Sequence, residues 1–589
     1  MVFTPPAWVP QLPFDPPDSI PLHEFWGNEK YGRVPWDKSH NPFTCGLTGK
    51  TYTTAEMLER MELLARSLAK RLGWRTNEDT PWDKVVGVYS FNTTTDLLTS
   101  NYKIDFLMST FAVHRLSGIA TPANAMYSAA ELEHQLKSSG AKALITCLPL
   151  LETALKASRA CNIPDDKVFL LEMPGPTKDV PFKTVNDLIK EAKSLPELEP
   201  LIWSKGQGAR QVAYLCYSSG TSGLPKGVMI AHRNVIANMM QIRWHDSVGR
   251  KAQNISTQIC MGLLPLSHIY GLVVIAAAGP YRGDGVVVLP RFELRTLLES
   301  IQRFRVNFMH LVPPIIIQLL RNHQTCATYD LTSVRFIYTG AAPLGAETHT
   351  AIERAFPNWK IGQGYGMTET STVVTSSGEN DVVVGTSGSL VPGSRAKVLA
   401  EDGTEITELG KRGELLIKSP SVTLGYLNNE RATAEAFVFD ADGGRWMRTG
   451  DVAVVSRSPK GWEHFAVVDR LKELIKTKGH QVAPAELEAH LLTHPAVNDC
   501  TVIPVPDEAA GEVPKAYVVK SASMAASKSD DEVAREICKH VEDHKARYKW
   551  LKGGVEFIDV IPKSPSGKIL RRLLKDKEME ARRAKGAKL

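Results

Sequence analysis

Short apolar, β-rich runs alternate with amphipathic helical stretches over most of the chain. KVVGVYS (84–90), KALIT (142–146) and VRFIYTG (334–340) are examples, each set beside a helical pattern. Such alternation predicts βαβ units and mostly parallel sheets. From about Gly385 to Val468 the rhythm changes to short strands and turns, as in GELLIKSP, GRWMRTGDVAVV and WEHFAVVDR, which predicts a smaller β-rich subdomain. After Asp469-Arg470 a compact α+β pattern of about 120 residues predicts a separate C-terminal domain. The expected architecture is therefore α/β. Residues 1–470 form a large N-terminal domain of mostly parallel sheets, with the β-rich subdomain at about 385–468, and residues 471–589 form a small α+β domain. The most apolar stretch, Ile269 to Tyr281, is too short to cross a bilayer and is broken by Gly and Pro. It reads as buried core, and no membrane span is expected. SASMAASKSDDE, from Ser521, reads as an exposed loop.

Composition narrows the class. At 589 residues, with 43% apolar and 23% charged positions, the chain has an ordinary globular profile, which excludes collagen-like, disordered and coiled-coil proteins. The net charge is 70 − 64 = +6. From Lys563 onward there are ten basic and three acidic residues, a net of +7, so the remainder sums to −1. A nucleic-acid binder would spread a basic face over its body; here basicity belongs to the tail, and no nucleic-acid partner is expected.

Eight cysteines are scattered without a CxxC spacing and read as reduced, buried thiols rather than as a disulfide framework or zinc site. The Pro-rich, acidic N-terminus lacks the apolar run of a signal peptide. Asn92-Thr-Thr and Asn254-Ile-Ser match the glycosylation pattern by chance on this reading. The final Ala587-Lys588-Leu589 is a conservative variant of the Ser-Lys-Leu peroxisomal address. The expected location is the peroxisome, by way of its import receptor, and otherwise the cytoplasm.

The chemistry-bearing feature is YSSGTSGLPKGV (217–228), which follows the strand-like QVAYLC. Its glycines let the backbone approach an anion, while successive N–H groups and hydroxyls can donate to phosphate oxygens. It is not a Walker A loop, because Pro225 precedes the lysine and no Gly-Lys-Ser/Thr closes it.

This element resembles the signature of the adenylate-forming superfamily, which comprises acyl-CoA synthetases, luciferases and peptide-synthetase adenylation domains. LPLSHIYGL (264–272), TGAAPLG (339–345), QGYGMTET (363–370), RTGD (448–451), DRLKELIKTKGHQVAPAELE (469–488) and PKSPSGKILRR (562–572) follow in the same order and spacing, covering roughly residues 40 to 575. Within the superfamily the chain is most similar to 4-coumarate-CoA-ligase-like enzymes. CYSSGTSGLPKGVMIAHRNVIAN, PYRGDG and EDHKARYKWLKGG resemble phenylacetyl-CoA ligases of filamentous fungi.

The resemblance implies a two-step reaction. A carboxylate attacks the α-phosphate of ATP, releasing pyrophosphate, and the thiol of coenzyme A then displaces AMP. It assigns Ser218, Ser219, Gly220, Thr221 and Ser222 to the β- and γ-phosphates. Gln363, Gly364 and Tyr365 would border the nucleotide, with Tyr365 stacking on adenine; Thr368 would bond the α-phosphate, and Glu369 would hold Mg²⁺, a hard cation suited to carboxylate oxygen. Asp451 would accept from the ribose hydroxyls, with Arg470 as a second contact. His268 would gate the acyl pocket, which Tyr270, Gly340 and Gly364 would line; none of these motifs places a charge there, so an apolar acid is expected. Lys568 would bridge carboxylate and α-phosphate as a mobile point charge. Lys472 matches the hinge about which the C-terminal domain swings; Lys476 and Gln481 would then face the adenylate, and Lys478, Gly479 and Arg291 would meet coenzyme A.

Two departures stand out. His480 replaces a more usual apolar residue, and the segment from Asp96 to Arg115 looks longer than the corresponding helix. The leading expectation is an acid–CoA ligase for an arylacetic or cinnamic-type acid, as a monomer or homodimer. A medium-chain fatty acyl-CoA synthetase, a luciferase-like oxygenase and a nucleotide-binding pseudoenzyme are the alternatives. Intact Glu369, Asp451 and Lys568 speak against the last.

Overall fold

A computed structural model describes the chain apart from residues 93–104, 173–179, 219–224, 479, 522–528, 564–567 and 587–589, and gives no side chains for 584–586. The described residues form four sheets. The first has nine strands. Its centre runs parallel through Lys360–Met367, Phe336–Thr339, Phe308–Leu311, Ile259–Gly262, Gly285–Val288 and Phe43–Cys45, with antiparallel strands at both edges. The second has seven strands, parallel from Val212–Ser218 through Ile119–Ala123, Val85–Tyr89 and Ala143–Cys147 to Val168–Leu171. The parallel pairing expected from the βαβ alternation is therefore present in both. Phe43–Cys45 with Thr51–Tyr52, and Val212–Ser218 with Lys226–Ala231, are antiparallel hairpins, which need no crossover helix, and Gly425–Tyr426 adds to the latter from far along the chain.

The two sheets share one core. Val86 and Tyr214 of the second and Cys260, Val286 and Phe308 of the first pack with Val235, Ile236 and Met239 of the helix His232–Ala252. The same core absorbs Tyr270–Ala277, a π-helical segment, and Ala278–Tyr281, all buried, as the apolar run predicted. No helix among the described residues is long and apolar enough to cross a membrane. Gly271 is required in this segment, because a Cβ there would stand 2.2 Å from the Pro265 carbonyl oxygen.

Helix His232–Ala252 is also pinned electrostatically. Arg250 donates from both Nη atoms to Asp284 at 2.7 Å, and Arg282 bonds Asp246 at 3.2 Å. The Arg282-Gly283-Asp284 turn, with Gly283 at φ +80°, thus supplies one cation and one anion to a paired, buried network.

Five antiparallel strands between Arg395 and Arg470 make the third sheet. The fourth begins at Ile475 and is dominated by the long hairpin Val497–Asp507 with Gly511–Lys520. Helices Pro484–Leu491 and Asp530–His544 add Leu487, Leu491, Val533, Ile537 and Val541 to its core. All eight cysteines are free, and six are buried. Of the unusual segment Asp96–Arg115, the part from Phe106 to Arg115 is a buried helix and residues 96–104 lie outside the described residues.

The chain crosses between the third and fourth sheets in a turn after Arg470. Asp469 accepts from the Ala485 N–H at 3.0 Å and from the Arg470 N–H at 2.8 Å, and burial pushes its carboxyl up to about 6. Arg571 clamps Glu488 with two bonds of 3.1 and 2.6 Å and also pairs with Glu473. Ala489 abuts Gly345, where an added Cβ would be 2.8 Å from the alanine Cβ. Removing one partner of a buried ion pair strands the other's charge. Arg571→Ala is therefore expected to destabilise the C-terminal domain by ~3–5 kcal/mol, read as a lower unfolding transition in calorimetry. An unchanged transition would show that the clamp is energetically idle.

Candidate functional site

The glycine-rich loop is the connection of a hairpin. Tyr217 pairs with Gly227 and Ser218 with Lys226; Ser219, Gly220, Thr221 and Ser222, assigned to phosphate binding, lie outside the described residues. At the loop's base, Ser218 Oγ donates to Glu369 Oε1 at 3.0 Å. Tyr426 OH donates to the same oxygen at 2.9 Å, and Lys226 Nζ stands 5.2 Å from the Tyr426 ring centroid. The two ends of the predicted nucleotide site, far apart in sequence, thus meet on one carboxylate oxygen.

The strand Lys360–Met367 delivers the second half of this site through distorted backbone. Its pairing with Thr372–Ser376 shifts register between Tyr365 and Gly366, and a Cβ on Gly366 would fall 1.4 Å from the Thr372 carbonyl oxygen. Thr368–Thr370 then turns as a 3-10 segment, followed by Ser371 at φ +55° and Thr372 at φ +122°. A β-branched residue at such a φ is strained, and strain of this kind persists where surrounding structure enforces it. Its enforcers are visible: Thr372 Oγ1 donates to the Ile269 carbonyl at 3.1 Å, and Ser371 Oγ to the Ser421 carbonyl at 2.8 Å. Thr368 is half-buried at the start of this turn.

Tyr365 OH donates to Asp451 Oδ2 at 2.6 Å. Asp451 and Arg470 face each other across adjacent strands, with Arg470 Nε 3.7 Å from Asp451 Oδ1. Burial raises the Asp451 carboxyl above its usual range, with Arg470 opposing. Burial, then the Asp451 charge, pushes the Tyr365 hydroxyl up as well, so it acts as a donor.

Lys568 reaches this group from the C-terminal domain. Its strand bridge, Lys563 to Ile569, holds the arm, and its ammonium is pushed down to about 8 by burial and then by Arg470, against Glu473, Asp451 and Glu369. His268 is near enough to feel Lys568; burial first, and that lysine second, bring its imidazole down to about 4, so it is neutral. Its Nδ1 accepts from the Tyr270 N–H at 3.3 Å.

The residues assigned to the acyl pocket also converge. A Cβ on Gly340 would lie 3.2 Å from the Gly364 carbonyl oxygen and 3.6 Å from Tyr270 Cε1, and one on Gly364 would collide with Tyr338 OH at 1.9 Å. Tyr270 OH donates to the Tyr338 carbonyl at 2.9 Å. The two glycines therefore let Tyr270 and Tyr338 pack closely against the backbone here. Tyr338 also borders a cavity of about 30 Å³ whose wall mixes Val274, Phe308 and Phe336 with His310, Asp246 and Arg282. Arg282 Nη2 and His310 Nδ1 are buried there without a hydrogen-bond partner among the described residues. Arg282 is carried to this cavity by the turn that pins the central helix.

Two groups of assignments come out differently. Gln363 spends its side chain on Leu344, accepting from the N–H at 2.9 Å and donating to the carbonyl at 3.4 Å. It positions the TGAAPLG loop and is not free to bond a nucleotide. Lys476 is exposed, 3.7 Å from Glu401, and Gln481 is its partner in the hairpin Ile475–Val482. Lys472, Lys478 and Arg291 are exposed too, and Gly479 lies outside the described residues. In this arrangement the C-terminal domain presents Lys568 to the site and keeps the hairpin outside it. His480, the noted departure, stacks on Tyr548 at 4.3 Å. Tyr426 was missed by sequence reasoning. It sits in a two-residue strand, and its only signal is a tyrosine following glycine in LGYLNN.

Known proteins bear on this geometry. Residues 36–427 match the AMP-binding enzyme family and residues 486–568 its C-terminal domain family. Acyl-CoA ligase easD of Emericella nidulans is 40% identical over 580 residues, 98% of this chain and 100% of that protein. Acyl-CoA ligase cm3C of Cordyceps militaris is 38% identical over 587 residues, 98% of this chain and 90% of the relative. Among solved structures, the anthranilate CoA ligase AuaEII in complex with anthranoyl-AMP superposes with a TM-score of 0.78 at 23% identity, over 96% of this chain and 98% of that one. ATP-bound MatB from Rhodopseudomonas palustris gives 0.73 at 24%, over 94% and 98%. Two matched domains, relatives aligned along nearly the whole chain, and a lysine arm brought to a carboxylate–arginine pair agree: this chain belongs to the AMP-binding enzyme family and is an ATP-dependent acyl-CoA ligase working through an acyl-adenylate.

Proposed function

We propose that the acid is apolar and aromatic, phenylacetate- or cinnamate-like. The observation that supports this reading is the convergence of Tyr270 and Tyr338 on Gly340 and Gly364, which gathers aromatic side chains around the predicted acyl site. A medium-chain fatty acid is the second reading, which the same motifs allow. Scoring CoA-dependent AMP release over a panel of acids tests the choice. Phenylacetate and cinnamates should exceed hexanoate to decanoate in kcat/KM; the reverse order would overturn the aromatic reading.

The catalytic assignments rest on charge placement. The first half-reaction gathers negative charge from carboxylate and triphosphate, and cations positioned beforehand stabilise its transition state. Lys568, half-buried beside Asp451 and Glu369, is the mobile cation, and Arg470 is the fixed one. Glu369, an oxygen donor already oriented by Ser218 and Tyr426, fits a hard cation, and Mg²⁺ bound there would neutralise phosphate charge. His268, neutral and next to Tyr270, keeps its gating role, and the exposed hairpin with Lys476, Lys478 and Gln481 is assigned to the second half-reaction after the C-terminal domain turns about Lys472. Arg291, exposed ahead of the helix Leu294–Phe304, is kept for coenzyme A.

Lys568→Ala should lower pyrophosphate exchange by roughly 10²–10³-fold while sparing thiolysis of a preformed acyl-adenylate. Because the ammonium is the working form and its proton leaves at about 8, kcat/KM for adenylation should fall as pH rises through that value. Lys568→Arg should carry the falling limb upward. Equal loss of both half-reactions, or a flat profile, would remove the lysine from this role.

We also propose peroxisomal import through Ala587-Lys588-Leu589. Deleting these residues from a fluorescent fusion should disperse puncta into the cytosol. Puncta that persist would place the address elsewhere.

A further inference from the structure

Four of the sixteen histidines gather on one side of the C-terminal domain, away from every assignment made above. His490 comes from helix Pro484–Leu491, His494 from the turn after it, and His540 and His544 from helix Asp530–His544. The spacing of four places His540 and His544 on one face of their helix, one turn apart. The His490 and His540 rings stack at 4.2 Å, His540 and His544 lie 5.1 Å apart, and His494 stands 5.2 Å from His540.

The hydrogen bonds decide what these rings can offer. His490 Nε2 and His544 Nδ1 both point at the His540 carbonyl oxygen, at 3.2 and 2.9 Å, and so carry the protons they donate. Thr493 Oγ1 donates to the His490 carbonyl at 2.7 Å and therefore accepts from His540 Nε2 at 3.0 Å. Each imidazole is thus held by one N–H while its other nitrogen keeps a lone pair, the arrangement in which protein hydrogen bonds fix the tautomer of a metal-binding histidine. Each of the three offers one ring nitrogen, and the three atoms lie within 4.8 Å of one another. We propose that His490, His540 and His544 form a site for one divalent transition-metal ion of borderline softness, Zn²⁺ being the natural occupant.

The choice of metal follows from the donors. Imidazole nitrogens suit Zn²⁺, Cu²⁺ and Ni²⁺, and the absence of any carboxylate from the triad disfavours Mg²⁺ and Ca²⁺. Zinc–nitrogen bonds of about 2.0–2.1 Å bring tetrahedral donors to on the order of 3.3 Å apart. Binding would draw the three donors together by small side-chain adjustments, for which half-buried His540 and exposed His544 have room. Three protein donors leave a position for water or for His494.

The consequence is mechanical. A bound ion would cross-link the two helices that cover the C-terminal sheet. One of them carries the Ala485 N–H that meets Asp469 at the domain crossing, and Glu488, which holds Arg571 three residues beyond Lys568. The ion would stiffen the domain without touching substrates.

Titrating untagged full-length chain with ZnCl₂ against a chromophoric chelator tests this. One ion per chain should bind, weakened by at least about tenfold in His540→Ala and in His544→Ala and unchanged in the exposed His323→Ala. Acid activation with Mg²⁺ should be unaffected in all three variants. Co²⁺ in the wild-type site should show ligand-field bands that both triad variants lose. Affinity weaker than ~100 µM, or binding untouched by both triad substitutions, would overturn the site. Because His544 is exposed, its variant keeps the test valid even if His540→Ala disturbs packing.

Discussion

The Asp451–Arg470 pair is the fixed point about which the rest of the molecule is arranged. It is formed across two neighbouring antiparallel strands, so strand register sets its geometry rather than flexible side chains. Tyr365 adds a third member from the nine-stranded sheet, and its 2.6 Å bond to Asp451 fastens the nucleotide-facing loop to the β-rich sheet. Arg470 is also the last residue before the chain crosses to the C-terminal domain. A single ion pair therefore ties the Tyr365 strand to the point at which the chain leaves for the C-terminal domain.

Lys568 and the hairpin Ile475–Val482 lie in different surroundings, the first near Asp451 and the second on the surface. The C-terminal domain is rigid within itself: a long hairpin, two helices on one core, and the Arg571 clamp. With Lys568 at the site, the hairpin Ile475–Val482 must stand elsewhere, because both belong to the same body. Lys476 pairing with Glu401 on the surface is the outcome. On the proposed reading, two sets of residues on one domain serve one cleft in turn, and rotation of that domain is what would exchange them.

The legible part of this protein was what local pattern and composition encode. Alternating βαβ runs specified parallel sheets, the apolar stretch after His268 specified buried core, and Gly364 stands where a Cβ would meet Tyr338 OH at 1.9 Å. The illegible part depended on long-range orientation. Gln363 sits in the right motif, yet its amide turns to a backbone 19 residues earlier, a choice made by packing. Tyr426 belongs to a strand of two residues, too short for any periodicity to show. Arg282 reads as a turn residue in PYRGDG, and only the fold carries it to a cavity beside Tyr338. The histidine cluster joins positions fifty residues apart, which no spacing rule connects.

Charge balance ties the lysine arm to the substrates. In the closed arrangement Lys568 and Arg470 face Asp451, Glu369 and Glu473, yet burial still drives the Lys568 ammonium down to about 8. Any anion entering beside it favours the charged lysine. By linkage, a protonated, inserted lysine must in turn favour the anion, and each strengthens the other's hold by the same factor. On the proposed reading, ATP and a carboxylate acid together bind the arm most tightly, and departure of pyrophosphate removes much of the charge that held it. The arm is then free to leave just when the adenylate is made, and the same rotation brings the exposed hairpin inward. On that reading, the electrostatics of one half-buried lysine couple its release to the end of the first half-reaction.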